Sequence, residues 1–331
     1  MTAGVPTALA DRLMSLIQED GPMGVDTFMA ACLVDPQGGY YQQADPFGTA
    51  GDFITAPEIS GLFGEMCGLY LAQIYELAGS PEDAAIVELG PGRGTLMRDM
   101  RHVWSRLMPA MAGLPLHFLE TSHALRRLQA TAVQTHRIKT AASWHDDIED
   151  LLAATDGPVF GIANEFFDAL PVAQLVRHDG HWHQRQVGII DGRLGFIIGP
   201  TVPEDVAMNV MELRCGPSVD GTVLEQCPQA DLVVAALAWQ VAQHGGAVLI
   251  IDYGRDGNPG DSLQAVADHK PVDIFHAPGR SDLSHWVNFA ALEKAASAAG
   301  ARLVPPVPQG QFLMRIGLAA RAEQAGKMAA P

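Results

Sequence analysis

One acid and three glycines carry the clearest chemistry in the chain: Glu88, Gly90, Gly92 and Gly94, spaced Glu-x-Gly-x-Gly-x-Gly and followed by Thr95. The apolar run Ala84-Ala85-Ile86-Val87 before them reads as a buried parallel strand. The stripe Leu96, Met97, Met100, Val103, Trp104 and Leu107 after them reads as a helix. A glycine turn between strand and helix brings backbone N–H groups and a helix N-terminus against a polar ligand. No lysine closes the turn as a P-loop requires, and Thr95 stands where a dinucleotide fingerprint has its third glycine. A carboxylate at the strand end repels a pyrophosphate but suits an ammonium. S-adenosylmethionine (SAM) carries an ammonium and a ribose and no phosphate. The turn therefore reads as a SAM site, with Glu88, Gly90, Gly92, Gly94 and Thr95 as contacts; a purely structural turn is the alternative.

Further acids stand where the same ligand and an acceptor would need them. Glu120 closes the strand Leu116–Leu119, at the distance where ribose hydroxyls meet a carboxylate in nucleotide-binding α/β folds. The strand Pro158–Ala163 runs into Asn164-Glu165-Phe166-Phe167-Asp168-Ala169-Leu170-Pro171. Ligands in open α/β sheets bind at the carboxyl ends of strands, so this cluster is expected to face the same crevice. Asn164 is assigned to the cofactor. Glu165 and Asp168 are the candidate catalytic acids, sharing a face if the segment is helical from Asn164. Asp52 and Glu58 are candidate contributors from an N-terminal lid. Helix N-terminal charge and surface solvation are the bland alternative for all four acids.

The elements that must position these residues follow in order. Residues 1–80 form an N-terminal helical or lid region. In it Thr55-Ala56-Pro57-Glu58 predicts a capping box opening a helix with Ile59, Leu62, Phe63, Met66, Tyr70, Ile74 and Leu77 on one face. Residues 81–171 and 229–318 form the SAM-binding core, with a helix over 125–133 and a short strand near 138–141. A helix over 232–243, a strand over 247–253 and a helix over 289–299 complete it, with closing strands at 302–304 and 311–317. Residues 172–228 form a β-rich insertion whose Asp179-Gly180 and Asp191-Gly192 pairs signal hairpins. Residues 319–331 read as a frayed tail. The sum is a doubly wound, seven-stranded α/β sheet of the Rossmann-like kind, with an N-terminal helical lid and an antiparallel β insertion.

At 331 residues with 48% apolar and 18% charged residues the chain is globular and long enough for a sizeable core. Its net charge of −17 argues against bulk nucleic-acid or anionic-membrane binding and suits a basic partner surface. No apolar run reaches membrane-spanning length, and acids come early at Asp11, Glu19 and Asp20. The four cysteines form no C-x-x-C pair, and His178, His181 and His183 lack an acid or cysteine to complete a coordination set. No metal site is expected, and a cytoplasmic location is.

The motifs resemble one family over nearly the whole chain. Gly39-Tyr40-Tyr41, Pro46-Phe47-Gly48, Gly51-Asp52-Phe53-Ile54-Thr55-Ala56-Pro57-Glu58-Ile59-Ser60, Glu88–Thr95, Ala163–Pro171, Gly260–Val266, Pro278-Gly279 and Gln309–Leu313 are together similar to the MidA-type SAM-dependent methyltransferases. The resemblance implies SAM as cofactor and, through its mitochondrial member, a protein arginine methyltransferase that assists respiratory complex I assembly. It implies a protein substrate, an arginine of a complex I subunit, and is compatible with a homodimer. A small-molecule methyltransferase and a SAM-binding assembly factor without turnover are the alternatives. It also implies a matrix location for eukaryotic members. The chain departs from the family at Trp286-Val287-Asn288-Phe289, where Asn288 replaces the usual aspartate. Either that position matters to catalysis or it caps the next helix; the cap is the favoured reading.

Overall fold

The computed structural model describes residues 5, 7–42, 55–134, 140–211, 219–257 and 260–329. The chain runs α1 (Ala8–Asp20), β1 (Met23–Gly24), α2 (Val25–Val34), α3 (Ala56–Ile59), α4 (Gly61–Leu77), β2 (Ala85–Leu89), α5 (Thr95–Leu107), α6 (Pro109–Ala112), β3 (Leu116–Leu119), α7 (His123–Val133), β4 (Ala142–His145), α8 (Ile148–Ala153) and β5 (Val159–Asn164). It continues with β6 (Ala173–His178), β7 (His181–Ile190), β8 (Arg193–Thr201), α9 (Glu204–Met211), β9 (Val223–Gln226), α10 (Pro228–His244) and β10 (Gly246–Ile251). The short strands β11 (Gly254–Arg255), β12 (Gln264–Ala267), β13 (Lys270–Val272), β14 (Asp282–Ser284) and β15 (Val287–Asn288) follow. Three helices end the chain: α11 (Phe289–Ala298), α12 (Gln309–Arg315) and α13 (Leu318–Ala329). No helix among the described residues is long and apolar enough to cross a membrane.

These elements group into two compact units, one of residues 1–53, 167–234 and 252–295 and one of residues 54–166, 235–251 and 296–331. The second is an α/β unit around a parallel sheet ordered β10-β5-β2-β3-β4. All five residues of β2 are buried, as a central strand covered on both faces requires. From β2 the chain moves outward to β3 and β4, then returns to place β5 on the other side. The β2/β5 pair is therefore the topological switch point, where open sheets leave a crevice beyond the strand ends. Helices α4 and α5 pack together through Trp104, whose indole Nε1 donates to the Gly68 carbonyl at 2.7 Å. Gly68 has no room for a side chain: a Cβ would come within 2.9 Å of the Met100 Cα.

The first unit is built on an antiparallel sheet, β1-β7-β6-β9 with β8 on the outer side of β7. Asp179-Gly180 and Asp191-Gly192 close its hairpins with positive φ at all four residues, as two-residue type I′ turns demand. Strand β1 comes from the N-terminal region, Met23 pairing with Val187. Around it Leu9, Leu13, Phe28, Met29, Val172 and Val187 form a buried cluster.

Several sequence expectations are corrected. Thr55 makes no side-chain cap; the first helix ends at Ile59, and α4 starts afresh on Ser60, whose hydroxyl accepts from the Leu62 N–H at 3.2 Å. Strand β4 begins at Ala142, later than expected. The two closing strands are absent. Residues 301–308 form no strand, and Pro305, Pro306 and Pro308 leave Arg302–Val304 no run of N–H groups along which a ladder could continue. Residues 309–315 are helix α12, with Phe312 edge-on to Tyr70 and Leu313 in the core. The spacing of Phe312 and Ile316 fits a helix, and a run of apolar residues had hidden that period. The parallel sheet thus has five strands among the described residues where seven were expected. The tail is helix α13, tied down by an ion pair between Arg321 and Glu65 at 2.7 Å.

Trp104 is fully buried, so Trp104→Ala is expected to cost about 3–5 kcal/mol. Urea unfolding followed by circular dichroism checks this; a cost below about 1 kcal/mol would mean that this helix pair does not anchor the unit.

Candidate functional site

The turn leaving β2 is built from backbone before side chains. The Gly90 N–H donates to the Leu119 carbonyl at 3.0 Å, tying the turn to β3, and the Gly94 N–H donates to the Pro91 carbonyl at 2.8 Å. Gly90, Gly92 and Gly94 have φ of 60°, 52° and 81°. At Gly90 a Cβ would lie 3.0 Å from the Phe166 ring, and at Gly94 one would lie 3.1 Å from the Gln129 Cα, so neither admits a side chain without strain. Gly94 leads into α5 with no side-chain cap, leaving that helix's first N–H groups to other acceptors. The Thr95 hydroxyl instead donates to Glu58 Oε1 at 2.5 Å. Glu58, expected to close a capping box, is thus spent on the glycine turn.

Glu88 stands just before this turn, 2% exposed, with no hydrogen-bond partner for its Oε2. Burial alone pushes its carboxyl up from 4.5 to about 8. A buried acid without a partner is costly, and a cation docking on it would relieve the cost. The ammonium of SAM is such a cation, so the residues fit the cofactor. Glu120 is a different acid. Its Oε1 accepts from the Ser122 N–H at 2.8 Å and its Oε2 from Gln129 Nε2 at 3.0 Å. Burial raises its carboxyl above the ordinary range, and these donors with the Arg126 charge oppose the rise. It is held in place as a hydrogen-bond acceptor.

At the end of β5, Asn164 turns Nδ2 to Glu165 Oε1 at 3.3 Å, while its buried Oδ1 has no hydrogen-bond partner. Glu165 is not helical. Its φ of 51° is left-handed, and its N–H donates to the Ile251 carbonyl at 2.9 Å, extending the β5–β10 ladder. The expected helix from Asn164 is therefore absent, and Glu165 and Asp168 do not share a helix face. A non-glycine residue in this conformation carries strain that recurs at functional sites. Glu88, the glycines, Thr95, Glu58, Glu120, Asn164 and Glu165 belong to the α/β unit, whereas Asp168 belongs to the other. There Asp252 Oδ2 accepts from the N–H groups of Phe167 at 2.9 Å and Asp168 at 3.3 Å. Tyr41 donates to Asp282 at 3.3 Å, and burial with the charges of Asp282 and Asp168 pushes its hydroxyl well above the ordinary value. Asp52 lies outside the described residues.

Sequence reasoning missed Gln129, Asp252 and Asp282, and met Tyr41 only as part of a family motif. Only Gln129 left a readable signal: a polar residue inside the buried stripe Leu125, Gln129, Val133 of α7. Asn288 caps α11, its Oδ1 accepting from the Ala291 N–H at 3.2 Å. Asn288→Asp is accordingly expected to keep stability within a few tenths of a kcal/mol, and Asn288→Ala to lose about 1 kcal/mol, in parallel urea titrations.

Residues 66–307 match the family profile of S-adenosyl-L-methionine-dependent methyltransferases. The chain is 32% identical over 343 residues to the mitochondrial protein arginine methyltransferase NDUFAF7 of Danio rerio, covering 97% of this chain and 79% of that protein. It is 34% identical over 338 residues to the mitochondrial NDUFAF7 homolog of Drosophila melanogaster, covering 96% and 76%. Its fold is similar to a crystal structure from Burkholderia thailandensis bound to S-adenosyl-homocysteine. The TM-score is 0.82 at 24% identity, over 98% of this chain and 86% of the other.

A cofactor ammonium docking on Glu88 would make binding a proton-linked event. With its carboxyl near 8 against 4.5 when unfolded, the neutral form contributes stability that is whole below pH 4.5 and is lost as pH rises through 8. Without ligand, the parent's melting temperature should therefore fall more steeply than that of Glu88→Gln between pH 6 and 9. Binding of S-adenosylhomocysteine at pH 6.5 should release about one proton per site in the parent and none from this position in Glu88→Gln. Calorimetry in two buffers of different ionisation enthalpy reads this directly.

Proposed function

Because the chain belongs to the MidA-type SAM-dependent methyltransferases, we propose that it methylates an arginine of a protein substrate, a subunit of a complex I-type assembly, in the bacterial cytoplasm. The observation that carries this reading is the kinship, over almost the whole chain, with proteins named protein arginine methyltransferases. The charge of −17 agrees with it, since a basic segment presenting an arginine is drawn to an acidic surface.

In this reading Glu88 takes the cofactor's ammonium, Glu120 its ribose hydroxyls, and Gly90, Gly92, Gly94, Thr95 and Asn164 line the same shell. The cofactor supplies a methyl on a sulfonium, a good electrophile that needs no metal. The chain's part is to hold a guanidinium nitrogen in line with that carbon, and orientation supplies much of the acceleration. An arginine is protonated at neutral pH, so carboxylates must fix its planar fork and one must accept the proton as the N–C bond forms. Glu165 is the candidate for that part in the α/β unit, and Asp168, Asp52 and Glu58 are the further candidates. The left-handed backbone at Glu165 supports its choice, since such strain is kept where a side chain must be aimed.

The test is SAM affinity and single-turnover methyl transfer on the same samples, with purified complex I subunits as acceptors and mass spectrometry locating the methylarginine. Glu165→Gln and Asp168→Asn should bind SAM within about twofold of the parent and lose at least about a hundredfold in transfer. Parental transfer rates in both variants would remove the acid assignment. Methylation of a small molecule, or SAM binding with no methylated subunit, would replace the arginine reading.

A further inference from the structure

Gln129 sits fully buried in the middle of α7 with every side of its amide engaged. Its Nε2 donates to the Gly92 carbonyl at 2.7 Å and to Glu120 Oε2 at 3.0 Å, and its Oε1 accepts from Trp144 Nε1 at 2.8 Å. Trp144 fixes which way round the amide lies. An indole N–H can only donate, so the atom it meets is the oxygen, and the nitrogen is left facing the carbonyl and the carboxylate. One amide thus spans the top of the sheet. It joins the turn after β2 to the acid after β3 and is itself pinned to β4.

We infer that Gln129 is a positioning residue for the cofactor, holding the Glu120 carboxylate and the Gly92 turn in register with one another. Two physical points favour this over simple packing. A buried polar residue in an otherwise apolar stripe (Leu125, Val133) is destabilising unless its hydrogen bonds are all made, and here they go to the two ligand-facing parts of the unit. Burial also raises Glu120, and the donor on Oε2 opposes that rise and leaves that oxygen aimed as an acceptor. The inference rests on the ribose reading of Glu120, and its test separates the two.

S-adenosylhomocysteine affinity is measured by calorimetry on the full chain for the parent, Glu120→Ala, Gln129→Leu and the double variant. Hydrogen bonds to charged groups correspond to roughly tenfold to a hundredfold in affinity. Each single variant should lose about that much, and the double variant should be weaker than Glu120→Ala by no more than about twofold. Independent losses that multiply in the double variant would overturn the inference while leaving the ribose reading intact. Parental affinity in Glu120→Ala would overturn the ribose reading and the inference with it.

Gln129→Glu, nearly the same shape, covers the case in which Gln129→Leu does not fold. Ionised, it sets an oxygen against the Gly92 carbonyl and Glu120; protonated, it donates as the amide does while still accepting from Trp144. The parent-to-variant affinity ratio should therefore shrink at least about tenfold from pH 9 to pH 6. The other titratable groups nearby are Arg126, bound to the Glu120 carbonyl and to Asp146 at 2.5 Å, and the His117–His145 pair at 3.1 Å on β3 and β4. They are common to both proteins, whereas the Glu120 carboxyl, 3.0 Å from the substituted atom and raised by burial, titrates together with the new acid and adds to the same pH dependence. A ratio constant across that range would overturn the inference.

Discussion

A carboxyl group kept from water without a partner is the constraint from which the α/β unit can be understood. Glu88 lies on the innermost strand, where both faces are covered, and such a position ordinarily excludes an acid. Its presence is tolerable because burial keeps it neutral in the free protein. The surrounding architecture serves that arrangement. The β2/β5 switch opens a crevice at the strand ends, the glycines let the backbone turn away at once, and α4 and α5 close over the sheet behind it. Moving the acid one residue along the strand would point it to the opposite face, away from this geometry.

Legibility in the sequence followed how local each signal was. The glycine turn, the strand before it and the amphipathic helix after it were readable because period and turn chemistry act within a dozen residues. The two Asp-Gly hairpins were readable for the same reason, since φ > 0 is demanded of those two residues and no others. The closing segment was misread because Gln311–Gly317 is apolar enough for either state, and its contacts with Tyr70 and the core lie far away in sequence. Glu58 was assigned to a local cap, and a longer-range hydrogen bond to Thr95 won. Gln129 and Asp252 work through partners 37 and 85 residues away, and no period in the sequence encodes such pairs.

The segment after β5 shows how a short sequence can change its role within a few residues. Up to Glu165 the backbone still belongs to the parallel ladder, giving its N–H to Ile251. From Phe167 the N–H groups are received by Asp252, a side chain standing just past the end of β10. A carboxylate there does for a loop what an N-cap does for a helix, collecting successive donors that would otherwise be stranded. The conformation of the segment is thus set by the residue that follows the adjoining carboxyl end of the neighbouring strand.

The pairing of β1 with β7 has a consequence for how the protein is made. Met23 finds Val187, so roughly 160 residues must leave the ribosome before the N-terminal strand has a partner. At about 5–20 residues per second, that is a wait on the order of ten to thirty seconds. Throughout it, Leu9, Leu13, Phe28 and Met29 have only near neighbours such as Ile17, Val25, Leu33 and Tyr40 for cover and lack Val187 and the later members of their cluster. The cover over α1 and α2 is therefore completed only late in synthesis, and until β7 has been made the unfinished cluster is open to chaperones.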